Sequence, residues 1–153
     1  MKANYYLYTF LLVFLITACS KDKFETRPTL EVKEYNTKNL QPAAEGESYW
    51  QVTLKYTDKE GDLVGGSLNV TQTRLNQRPL GTGDVNRDSI IGSFAIDNIQ
   101  DKRTTGELLF RLSHNFLKDS RTENDSLKFN IWLLDRAQNS SDTLVTDMIV
   151  IEM

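Results

Sequence analysis

From residue 28 onward, apolar and polar residues tend to alternate with a period of two. That spacing turns one face of a β-strand toward a core and the other toward water. The clearest stretch runs from Trp50 to Thr57, where Trp50, Val52, Leu54 and Tyr56 share one face and Gln51, Thr53, Lys55 and Thr57 the other. The pattern returns at Leu108, Phe110 and Leu112, with Arg111 and Ser113 outward. It returns again at Leu127, Phe129, Ile131 and Leu133, with Lys128 and Asn130 outward. Weaker alternation predicts strands over 29–35, 67–73, 89–97 and 143–152. In the last of these, Leu144, Met148 and Val150 compete with Val145, Ile149 and Ile151 for the inner face. A bulge, or burial on both faces, resolves such a conflict.

Turn-forming clusters at 60–62, 65–66, 81–84 and 138–141 separate these segments. No stretch carries a helical period over a useful length. The chain has 153 residues, room for one ordinary domain. About seven short strands predict an all-β fold, a single immunoglobulin-like antiparallel β-sandwich over residues 28–153. A small closed barrel fits the same pattern.

The N-terminus breaks the alternation. Residues 5–16 form an unbroken run, apolar apart from Thr9 and the tyrosine hydroxyls, behind a short segment whose only charge is Lys2. A membrane-spanning helix needs about 20 such residues, so this run is too short to span and fits the apolar region of a signal peptide. It ends in Ile16-Thr17-Ala18-Cys19. Small residues just before a Cys at this point resemble a bacterial lipobox. The resemblance implies cleavage before Cys19, diacylglyceryl attachment to its sulfur, and acylation of the new amino group. Residues 1–18 are then a discarded signal peptide, and 19–27 are the lipidated Cys and a charged tether (SKDKFETR after the Cys). Several acyl chains on one residue anchor stably where one does so only marginally. Ser20, in place of the Asp that retains such proteins at the inner membrane in enterobacterial sorting, implies the bacterial outer membrane.

Charge and rare residues narrow the chemistry. Eighteen Lys and Arg stand against 21 Asp and Glu, a net charge of −3, which argues against a nucleic-acid partner. The single Cys excludes an intrachain disulfide and a cysteine cluster, and the single His, His114, excludes most zinc sites and catalytic triads. A 125-residue sandwich without long loops offers little wall for a cleft. We therefore expect no enzyme.

Acids gather at strand ends. Asp58, Glu60 and Asp62 alternate beside Gly61, and Asp135 ends the strand 127–134. If the two loops meet, these carboxylates can converge on Ca²⁺, which takes six to eight oxygens. Equally, an Asp/Gly turn uses its carboxylates on its own loop N–H groups. With Leu63, Asn139 and, one position short of the motif's Ser, Ser140, these residues resemble the D-x-(D/E)-G-D-(L/I) and D-x-x-x-N-x-S elements of small Bacteroidetes-type lipoproteins with immunoglobulin-like domains. Leu134-Asp135-Arg136 also resembles a cadherin calcium motif, but Ala137 stands where its ligand Glu belongs. The segment from Asp84 to Ile91 resembles half of an EF-hand loop. Ser89 replaces its Gly, and Ala95 its bidentate acid, so a polar loop is the better reading.

Two surface features complete the reading. Trp132 lies on the outward phase of its strand, where it can stack on a sugar or dock a protein, unless a loop covers it. Ser89, Ser126 and Thr143 each follow an Asp and precede an aliphatic residue. They resemble the O-glycosylation acceptor of exported proteins of that bacterial group, although strands that begin after an Asp-Ser turn read the same way. The function expected is a lipid-anchored envelope module, binding or structural, with the membrane and an envelope protein or glycan as partners and no cofactor beyond a possible Ca²⁺. The alternative is a carbohydrate-binding accessory lipoprotein of a glycan-uptake system.

Overall fold

The computed structural model describes residues 27–89 and 92–153. Residues 1–18, expected to be a signal peptide, Cys19 and all but the last residue of the expected tether lie outside the described residues. The rest is a β-sandwich. Sheet one orders β1 (Thr29–Tyr35), β3 (Tyr49–Thr57) and β6 (Thr105–Ser113). Sheet two orders β2 (Asn39–Leu40), β9 (Ile149–Ile151), β7 (Asp125–Leu134), β4 (Ser67–Arg74) and β5 (Ser93–Ala95), with β8 (Leu144–Val145) also on β7. One helical turn, α1 (His114–Leu117), follows β6, with the Ser113 hydroxyl capping the Phe116 N–H.

The strand order follows that of an immunoglobulin domain in part. In that fold, A, B, E and D form one sheet and C, F and G the other. Here β1, β3 and β6 stand at A, B and E; β4, β7 and the β8–β9 strand stand at C, F and G; β5 stands at C′. Among the described residues no strand stands at D, so β6 is an edge. The sandwich is not purely antiparallel, because β2 pairs in parallel with β9 through Asn39↔Val150 and Leu40↔Ile151. Of the strand expected over 89–97, the described residues form the three of β5.

The alternating residues meet as predicted. Trp50, Val52 and Leu54 of β3, and Leu127, Phe129, Ile131 and Leu133 of β7, are all 0% exposed. Trp50 stacks on Phe129 at 4.8 Å between centroids and meets Phe110 edge-on at 6.4 Å. This contact joins strands B and F, the pair that a disulfide bridges in antibody domains; here aromatic stacking occupies that place.

The conflict in the last strand is resolved by a bulge. β8 pairs as Asn130↔Val145, whereas β9 pairs as Leu127↔Ile149, one residue out of step. Thr146 sits at the shift. Its hydroxyl accepts the Phe129 N–H at 3.0 Å, and its own N–H donates to the Phe129 carbonyl at 2.9 Å. The extra residue moves the inward phase from Leu144 and Thr146 onto Ile149 and Ile151.

Candidate functional site

At one end of the sandwich the loops after β3 and β7 do meet: the Arg136 N–H donates to the Asp62 carbonyl at 3.1 Å. Asp58 and Asp135 are both 0% exposed. Asp58 Oδ1 accepts the Glu60 N–H at 3.3 Å and Oδ2 the Asp62 N–H at 2.9 Å. Asp135 Oδ1 accepts the Asn139 N–H at 2.7 Å and Oδ2 the Asn139 side-chain amide at 2.8 Å. Each carboxylate thus organises its own loop, the behaviour expected of an Asp/Gly turn. Glu60 is exposed and Asp62 half-buried. Among the described residues no three acids, imidazoles or thiols stand in an arrangement that holds a metal ion. Burial pushes the Asp58 carboxyl above its ordinary range, and the charges of Asp62 and Asp135 push the same way against the two N–H bonds.

Two glycines permit this junction. Gly61 has a φ of +66°, and a Cβ there would meet the Lys102 carbonyl carbon at 2.7 Å. A Cβ at Gly66 would land on the Leu134 carbonyl oxygen. Both contacts are with backbone, which cannot swing aside.

At the opposite end lies a buried polar network that alternation alone did not bring out. Gln72 and Arg74 continue the inward phase of Leu68 and Val70, and Asp125 precedes the inward phase of Leu127. Arg74 Nε bonds Asp125 at 2.7 Å, and its Nη2 bonds Glu123 at 2.5 Å. Asp125 Oδ2 also accepts the N–H groups of Asp119 and Ser120. Asp119 takes Arg87 Nη1 and Gln72 Nε2, each at 2.7 Å. Burial pushes the Asp119 carboxyl up, against the pull of Arg87. The signal was present in the sequence, as polar residues on an apolar phase.

The EF-hand-like segment is tied into this end as a polar loop. Asp84 accepts the N–H groups of Gly81 and Arg121, and those bonds hold its carboxyl below the ordinary range. Asn86 accepts the Asp88 N–H, and Asp88 accepts the Arg74 N–H at 2.6 Å.

Trp132 is on the outer face of β7, opposite Asn69 of β4, and half-buried rather than presented to solvent. Of the three candidate acceptor hydroxyls, Ser89 and Thr143 are exposed outside strands, Ser89 with a φ of +63°. Ser126 is half-buried within β7, paired with Val150. The aromatic that does reach solvent beside a concavity is Phe94 of β5, 40% exposed and edge-on to Phe110 at 5.2 Å. It borders a groove of about 480 Å³ between β5 and β6, lined also by Leu68, Ile96, Leu108 and Arg111. Asp97, Asn98 and Glu107 add polar groups, so the lining is mixed rather than apolar.

Comparison of the chain with family models, with curated proteins and with solved structures returned no match.

Proposed function

We propose that this protein is a lipid-anchored envelope protein that presents one β-sandwich on a short tether as a binding or structural module. The observation that carries the reading is Cys19, which follows the 12-residue apolar run 5–16, too short to span a bilayer, after only the small residues Thr17 and Ala18, and is followed by a charged segment. Residues 20–27 reach at most about 25–30 Å when extended, which holds the sandwich near the membrane surface. The groove beside Phe94 is the surface we assign to binding. The glycan-binding alternative rests on Trp132, a half-buried residue on the outer face of β7.

Intact-mass measurement and fractionation of the full chain test this. The mature protein is expected in the membrane fraction, starting at Cys19 and carrying the mass of a diacylglyceryl group and one acyl chain. Cys19→Ser is expected to lose the added mass and the membrane association together. A wild-type chain that keeps residues 1–18, or that carries no lipid, overturns the reading.

A further inference from the structure

We propose that β6 is a self-pairing edge through which two copies of this chain form a two-fold symmetric dimer, joining their three-stranded sheets into one of six strands. The proposal does not depend on the lipid anchor.

The edges of the two sheets are not alike. β2 and β5 are two and three residues long. β1 is broken by a register shift between Val32 and Glu34 and carries Glu31, Lys33 and Glu34. Short strands, bulges and charges are the devices that protect an edge from pairing. β6 has nine residues, no Pro, and an unbroken register with β3 from Thr105↔Thr57 to Ser113↔Tyr49. Among the described residues no strand pairs with its other side.

Which backbone groups face that side follows from the ladder. The Asp58 N–H donates to the Thr104 carbonyl, and the His114 N–H to the Ser48 carbonyl, both at 2.8 Å. Even-numbered residues of this stretch therefore bond β3, and Thr105, Glu107, Leu109, Arg111 and Ser113 turn their N–H and C=O groups to the open edge. Their side chains stand on the outer face, with Leu109 63% exposed.

These residues are self-complementary about Leu109. In an antiparallel pair centred there, Leu109 meets Leu109 of the partner, Glu107 meets the partner's Arg111, and Thr105 meets the partner's Ser113. The symmetry repeats each pair, as an isologous interface requires. Opposite charges directly across a ladder stabilise it and like charges destabilise it. A slip of two residues in either direction loses both charge pairs, so the charges also set the register. In the single chain both side chains lean the other way across the outer face, Lys33 Nζ of β1 bonding Glu107 at 2.8 Å and the Arg111 guanidinium lying 4.4 Å from the Tyr49 ring centroid of β3. These are solvent-exposed contacts of small worth, which pairing exchanges for the cross-edge ones. The groove along Glu107 to Arg111, the surface assigned above to binding, borders this edge, and a second copy's strand laid along β6 is its occupant in this proposal. An interface built on one strand pair is small and belongs to the weak class.

Sedimentation of the full chain in density-matched detergent tests the proposal. The wild type is expected to dimerise within about 1 mM total protein, the range of weak association. Glu107→Arg and Arg111→Glu each set like charges against one another at both symmetric positions. Each is expected to weaken the dimer roughly tenfold. An equimolar mixture of the two variants restores opposite charges in the heterodimer and is expected to regain wild-type affinity, which a folding defect would not allow. A wild type that stays monomeric, single variants that dimerise as the wild type does, or a mixture that regains nothing each overturns the proposal.

Discussion

Asp58 and Asp119 are acids that folding removes from water, and burial raises both carboxyls above the ordinary value of 3.8. Each binds a proton more readily folded than unfolded. Its contribution to stability is therefore fullest below pH 3.8 and falls as pH rises through the raised folded value. Asp58→Asn removes that dependence. The variant's melting midpoint, relative to wild type, is expected to rise between about pH 4 and pH 7; a constant or falling difference would refute the cause given. Asp58 and Asp135 already serve the N–H groups of their own loops, so melts with Ca²⁺ and with chelator are expected to share one midpoint, since a ligand bound to the native state alone would raise it. Gly66→Ala sets a methyl against the Leu134 carbonyl oxygen. It is expected to cost about 3 kcal/mol or more in denaturant unfolding, as overpacking against an immovable group does. The two acidic clusters were visible in the sequence, and so was the possibility that their loops meet. The direction of each carboxylate was not, because hydrogen bonds to main-chain N–H groups depend on loop conformation rather than residue spacing.

At the scale of elements, strand phase was the most legible property. β3 and β7 bury the residues their alternation assigns, and β6 buries Phe110 and turns Leu108 and Leu112, half-buried, to the same core, because a period of two admits only two choices and one of them buries charge. β8 and β9 needed more. The two competing phases at 144–151 are both used, one on each side of the bulge, and Thr146 supplies a side-chain oxygen where the ladder slips. Thr146→Val keeps the shape and removes that acceptor. The buried Phe129 N–H is then left without its bond, and unfolding in denaturant is expected to show a loss of about 1–3 kcal/mol. A change below a few tenths of that size would mean that the bulge does not need the hydroxyl. Trp132 illustrates the limit of phase: alternation placed it on the outer face, but how far neighbouring segments cover that face is decided by packing in three dimensions.

For the molecule as a whole, the sandwich has an apolar middle and two polar ends of different kinds. The end built on Arg74, Asp125, Asp119 and Arg87 ties β4, β7 and the loops at 84–88 and 118–123 together. Arg74→Met preserves the apolar stem and strands two acids, Asp125 fully and Glu123 partly buried. Removing one partner of a buried pair costs about 3–5 kcal/mol, so a large fall in the unfolding midpoint is expected; replacing Asp125 as well, by Asn, is expected to recover part of it. An Arg74→Met chain as stable as wild type would show that water reaches the pair. The sequence by itself determined that the folded part is all-β, which faces of its main strands are buried, and where acids and turns fall. These follow from local periodicity and backbone preference, which are written residue by residue. Only the tertiary structure decided that Gln72, Arg74 and Asp125 close one end of the core, that Trp50 and Phe129 stack between sheets, and that β6 is left as an edge. Those facts depend on which strands lie side by side, and neighbours far apart in the chain are chosen by packing the whole set of faces at once.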